Sequence, residues 1–259
     1  MRIAIATLLL ISTSINAQIV TEEISYTAGE TTMKGYLAYD DSIKGERPGV
    51  LVVHEWWGHN DYARDRAEQL AGMGYTALAL DMYGDGKTAS HPKDAGSFAM
   101  AVGGNPELAK ARFDAAHSTL KAHSSVDDDR TAAIGYCFGG GIVLMMARLG
   151  VDIDGVASFH GSLSSPITAE KGKVKAAVRV YNGAADPLVK PEHVTAIQAE
   201  MASAGVDFDL VNYEGVVHSF TNPGATAKGE KFELPLAYDE FADKDSWKQM
   251  SSFLDEIFR

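Results

Sequence analysis

Gly135-Tyr136-Cys137-Phe138-Gly139-Gly140 is the stretch whose reading decides the fold. Ahead of it Thr131 to Gly135 is apolar and strand-like, and behind it Ile142, Leu144, Met145 and Leu149 recur at helical spacing. A strand that turns directly into a helix through G-x-C-x-G has the form of a nucleophile elbow, with cysteine where serine is usual. Glycine flanks have a physical task there. The central residue sits in a tight, strained turn, and a side chain on either flank would run into neighbouring elements. A thiol so placed points outward at the start of a helix, where the partial positive charge of the helix end favours an anion. A small buried cysteine in a glycine-rich bend is the other reading, and both stay open at this point. Cys137 is the only cysteine, so an internal disulfide is excluded.

Working outward, apolar strand-like runs alternate with helical patterns from about residue 48 onward. Gly49 to His54 and Tyr75 to Asp81 read as buried strands. Between them Asn60 or Asp61 caps a helix with Ala63, Ala67, Leu70 and Met73 on one face, stopped by Gly74. Gly84 to Pro106 is rich in Gly, Ser, Asp and Pro and reads as a long excursion over the sheet with a weak helical stretch. A helix with Ala109, Phe113, Ala116 and Leu120 inside follows, and Asp127 to Asp129 form a solvated connection to the strand at Thr131. Beyond the elbow come strands Gly155 to His160, Ala176 to Asn182 and Phe208 to Tyr213. A helix opened by Pro191 separates the last two, and a closing helix carries Trp247, Met250, Leu254 and Ile257 inward. Upstream, Val20 to Tyr26 and Thr31 to Tyr39 alternate around Gly29 as a hairpin. The whole predicts an α/β fold: a mostly parallel sheet with helices on both faces and an antiparallel N-terminal edge.

The chain has 259 residues, 46% of them hydrophobic, which suffices for one sizeable core. A net charge of -12 repels phosphate backbones, so nucleic acid is not an expected partner. Residues 1–17 read as an export signal: Arg2 is the positive start, Ile3 to Ile11 a nearly apolar run, and Ser14 to Ala17 a cleavage region. That run is shorter than the ~20 residues a spanning helix needs, so no membrane association is expected after its removal. Residues 18–259 are then a single domain of an exported protein, periplasmic or secreted.

An elbow of this kind needs an acid and then a histidine after later strands. Asp186 follows the strand ending at Asn182, and His218 follows the one ending at Tyr213. All three loops open at the carboxyl ends of strands, where open α/β sheets place their sites. A turn-capping role for Asp186 and an idle loop position for His218 are the alternatives. His54-Glu55-Trp56-Trp57-Gly58-His59 is not a zinc site, since its second histidine is one place too far and it follows a strand rather than lying in a helix. It offers instead a backbone N–H at Trp56 for an oxyanion and a carboxylate, Glu55, which could equally be a solvated loop acid. Gly84-Asp85-Gly86-Lys87-Thr88 lacks the first glycine of a phosphate loop, because Asp81 stands there. Neither a metal nor a cofactor is expected.

Glu55, the elbow, Asp186-Pro187, His218-Ser219-Phe220 and the segment Tyr238 to Trp247 together resemble the dienelactone hydrolase family, over about Val20 to Phe258. The resemblance implies an α/β-hydrolase fold and a Cys-His-Asp triad of Cys137, His218 and Asp186. It further implies that Glu55 helps to deprotonate the thiol and that the N–H groups of Phe138 and Trp56 form the oxyanion hole. Arginines that grip the substrate carboxylate in the founding activity have no counterpart in Asp81-Met82-Tyr83-Gly84-Asp85 or His218-Ser219-Phe220-Thr221-Asn222. The expected chemistry is acyl transfer from a small ester or lactone, with Trp57, Tyr83 and Phe220, beside Trp56 and Phe138, walling an apolar pocket. A carboxylesterase for uncharged esters and a catalytically silent binding protein are the rival readings.

Overall fold

A computed structural model describes residues 18–259. The export signal expected at residues 1–17 lies outside the described residues. The chain opens with β1 (Ile19–Ala28) and β2 (Thr31–Asp40), paired antiparallel around Gly29. It continues through β3 (Arg47–Val53), α1 (Asp61–Gly72), β4 (Thr76–Leu80), α2 (Pro92–Gly103), α3 (Pro106–Lys121), β5 (Val126–Tyr136) and α4 (Phe138–Arg148). β6 (Gly155–Phe159), β7 (Ala177–Gly183), α5 (Pro191–Ala204), β8 (Phe208–Tyr213), α6 (Ala225–Phe232) and α7 (Glu240–Ile257) complete it. The strands form one sheet in the order β1-β2-β4-β3-β5-β6-β7-β8. β1 and β2 make the antiparallel edge, and from β4 to β8 every pairing is parallel.

Alternation along each strand sends successive side chains to opposite faces. Leu51, Val53, Leu78, Leu80, Ala133, Val156 and Val178 pack under α3, α4 and α5, whereas Val50, Val52, Ala77, Ala79, Ala132, Ile134 and Ala157 pack under α1 and α7. Both faces are dry, which is why these strands read as continuous apolar runs. Each fully buried Val, Leu or Ile side chain contributes roughly 1.5–3 kcal/mol, so the sheet centre is the stable frame on which the strand-end loops are mounted.

Two segments differ from the sequence expectation. Within residues 84–106 the structure has a full helix, α2. The His91 ring accepts the Lys93 N–H at 3.2 Å and Pro92 occupies the first turn, so its start is set by capping. Only Ala95 and Val102 are buried on it, too sparse a stripe for periodicity to reveal. Asp127 to Asp129 belong to β5 rather than to a connection. Pairing with β3 jumps from Pro48↔Asp127 to Gly49↔Thr131, so the acidic residues bulge outward from the strand, and Asp127 accepts from Arg130 Nε at 2.7 Å.

Candidate active site

Four strand-end loops meet at the carboxyl edge of the sheet: those after β3, β5, β7 and β8. Cys137 joins β5 to α4 with φ +54° and ψ -112°, a left-handed conformation strained for any side chain. The strain is enforced by packing. A Cβ at Gly135 would strike the Gly139 carbonyl, and one at Gly139 would strike the carbonyls of Val53 and His54, so the turn lies directly on the end of β3. The Gly139 N–H donates to His54 O at 3.1 Å. Cys137 is partly exposed and a free thiol, at the N-terminus of α4.

His218 and Asp186 are brought together across the ends of β7 and β8. The His218 Nδ1–H donates to Asp186 Oδ2 at 2.6 Å, and Asp186 Oδ1 accepts the Leu188 N–H at 2.8 Å. Both side chains are buried. Nε2 of His218 has no other partner among the described residues, which leaves it for Cys137. Burial disfavours charge on this imidazole. The electrostatic pull and hydrogen bonding of Cys137 and Asp186 outweigh that, and together they raise its pKa from 6.5 to about 10.

Glu55 is only 1% exposed, and burial raises its pKa above the carboxylate range, against the opposing pull of Asn222, Lys228, Ser219 and His218. Asn222 Nδ2–H donates to Glu55 Oε2 at 2.6 Å, and Oε1 is buried without a partner. Such a carboxyl is poised to hold or release a proton rather than to anchor structure. The N–H groups of Trp56 and Phe138 donate to nothing among the described residues. Since Gly139 rests on His54, these two free donors lie on adjoining turns.

Aromatic residues surround the cluster in unequal ways. The Tyr83 ring meets His54 edge-on at 4.7 Å and Phe138 at 5.4 Å, and its hydroxyl donates to Trp56 O at 3.0 Å. With Phe98, Val102, Leu108 and Arg112 it lines a cavity of about 250 Å³. Trp57 is buried between Trp56 and Phe232, with Lys228 Nζ 4.7 Å above its ring. Phe220 has no exposed surface: it packs edge-on to His160 and Tyr213 and supports the site from below instead of walling a pocket. Neither Asp81 to Asp85 nor His218 to Asn222 contains an arginine, yet Arg112 of α3 donates to Met82 O at 2.6 Å. The place four residues after His218 is filled by Asn222, the donor to Glu55.

His54, His160, Thr221 and Asn222 were not singled out by sequence reasoning as working residues. His160 ends β6, the strand beside β5, so the strand-end rule that found Asp186 and His218 applied to it equally. For Thr221 and Asn222 no sequence signal existed, because their importance lies in partners 61 and 167 residues away.

The dienelactone hydrolase family model matches residues 33–258. A solved structure of a dienelactone hydrolase-like promiscuous phosphotriesterase from metagenomic libraries is 34% identical, covers 94% of this chain and 100% of its own, and superposes with a TM-score of 0.86. A second solved structure, designated m3DLH, is 38% identical over 93% of this chain and 99% of its own, with a TM-score of 0.88. The protein usf of Aquifex pyrophilus is 29% identical over 229 residues, 86% of this chain and 93% of that one.

Proposed function

This chain belongs to the dienelactone hydrolase family, and from that premise we propose that it hydrolyses ester or lactone bonds of small molecules, with Cys137 as nucleophile and His218 and Asp186 completing a triad. The observation that carries the reading is the strained Cys137 turn set against a His218 whose Nδ1 is held by Asp186 at 2.6 Å and whose Nε2 is left for the sulfur. In the first half-reaction the thiolate attacks the carbonyl carbon and the C=O π pair moves to oxygen, where the Trp56 and Phe138 N–H groups hold it. Collapse expels the alkoxide, which takes the proton of the His218 imidazolium. In the second half, neutral His218 removes a proton from water, hydroxide attacks the thioester, and the thiolate departs as the acid forms. Asp186 keeps the proton-carrying tautomer of His218 in place throughout. Loss of one oxyanion donor costs ~2.7–4 kcal/mol in enzymes of this type, and general acid-base transfer contributes ~10²–10⁴-fold.

Glu55, buried and short of one partner, is the group suited to hold the proton that the Cys137 thiol gives up, which leaves the thiolate beside the His218 imidazolium. Residues 1–17 support export to the periplasm or medium. The absence of arginine from the two loops favours uncharged esters over anionic lactones. The similar phosphotriesterase makes an aryl phosphotriester a sensible addition to the assay.

The test is steady-state hydrolysis of neutral esters, carboxylated esters, lactones and an aryl phosphotriester by the mature protein, with Cys137→Ala alongside. Turnover abolished in the variant supports the cysteine hydrolase, and the ranking of substrates identifies its class. A folded wild type with no turnover, and a thiol that iodoacetamide alkylates no faster than a free cysteine, would replace it with a binding protein.

A further inference from the structure

His160 is fully buried, is not part of the triad, and sits at φ +41°, in the left-handed region that a histidine rarely adopts. The strain aims its ring between the two halves of the site. The Cys137 N–H, besides reaching Phe159 O at 3.0 Å, donates to His160 Nδ1 at 3.1 Å. Nδ1 is therefore the bare nitrogen, and Nε2–H donates to Thr221 Oγ1 at 2.7 Å. Thr221 lies three residues beyond His218, and its own carbonyl is held by Arg66 at 2.7 Å while its hydroxyl meets the Tyr62 hydroxyl at 2.6 Å. The His160 ring stands edge-on to His218 with centroids 5.3 Å apart. Burial, His218 and Arg66 keep His160 neutral, so it does not compete with His218 for the proton.

We propose that His160 and Thr221 form a positioning bridge that fixes the Cys137 elbow and the His218 loop relative to each other. The bridge rests on the reading of Cys137 and His218 as nucleophile and base. The two residues touch no substrate. They act by holding the sulfur and Nε2 of His218 at the separation proton transfer requires, across loops that belong to different strands and share no direct backbone bond in the hydrogen-bond pattern of the site.

The test uses the mature protein and p-nitrophenyl acetate. Thr221→Val removes the hydroxyl at nearly constant shape. Thr221→Ser keeps it. His160→Asn keeps a left-handed backbone and an acceptor for the Cys137 N–H, but lacks the atom that reaches Thr221. Displacements well under an ångström at reacting atoms carry rate penalties, so Thr221→Val and His160→Asn are each expected to lower kcat by about tenfold or more with KM within about twofold. Thr221→Ser should stay within about twofold of wild type, and the double variant Thr221→Val/His160→Asn should be no slower than the worse single one, because both cut the same link. Equal losses in Thr221→Ser and Thr221→Val, losses that multiply in the double variant, or an unchanged kcat would overturn the bridge. If Thr221→Val does not fold, His160→Asn carries the same readouts. The rate of Cys137 alkylation by iodoacetamide senses the bridge without turnover, so its failure and that of the hydrolase reading are distinguishable.

Discussion

Replacing Cys137 by serine should strip His218 of the partner that most favours its charged form. In the native site its pKa rises from 6.5 to about 10 despite burial. At 1.36 kcal/mol per pH unit that is about 5 kcal/mol of net preference for the imidazolium, what remains of the pull of Cys137 and Asp186 after burial has opposed it. Serine at that position is neutral across the accessible range and keeps the turn. The Asp186 bond at 2.6 Å remains, so only the sulfur's share is lost. His218 should then titrate at least one pH unit lower, a difference of about 1.4 kcal/mol. Because the folded pKa lies above the unfolded one, the stability this group contributes is complete below pH 6.5 and is lost as pH rises toward about 10. The assay is the ring-carbon chemical shift of His218 against pH in ¹³C-histidine-labelled wild type and Cys137→Ser, assigned with His218→Gln. A His218 that titrates near 6.5 in the wild type, or at the same pH in both proteins, refutes the ion-pair reasoning.

Glu55→Gln removes a buried acid whose pKa is raised by burial, so at pH 7 the variant should be more stable to urea than wild type. That gain should vanish below about pH 4, where the native carboxyl and its unfolded counterpart are both protonated, while Cys137 alkylation and ester turnover slow in the variant. Gly139→Ala drives a methyl into the Val53 and His54 carbonyls, and a loss of about 3 kcal/mol or more in chemical denaturation is expected. An unaltered midpoint would mean that the elbow does not press on β3. Arg148, 1% exposed, donates from Nε and Nη2 to the two Glu200 oxygens at 2.8 and 2.9 Å. Glu200→Ala leaves that guanidinium buried and unpaired, so a loss of about 3–5 kcal/mol is expected, and thermal unfolding within a degree of wild type would contradict it.

The parallel sheet was legible because β3, β4, β6 and the Thr131 to Tyr136 part of β5 are buried on both faces and carry short runs of Val, Leu, Ile and Ala bounded by turn residues. The elbow was legible because its glycines are demanded by close backbone approach, which leaves a mark in local sequence. α2 was hidden, since its start depends on the His91 ring and its docking on two small residues. The register shift that puts Asp127 to Asp129 into β5 was hidden for a related reason: pairing with β3 decides it, and polarity alone mimics a loop.

For the site itself, sequence determined which chemistry-bearing residues follow which strands, because strand order and the elbow motif are local properties: Cys137, Asp186 and His218 came from that alone. Tertiary structure decided what each of them feels. The raised pKa of Glu55 is set by burial against the opposing pull of an Asn222 amide from a distant loop, that of His218 by a sulfur and a carboxylate from two others, and the neutrality of His160 by the core around it. Desolvation and hydrogen bonding depend on distances of a few ångströms between groups far apart in the chain, and only folding fixes those distances.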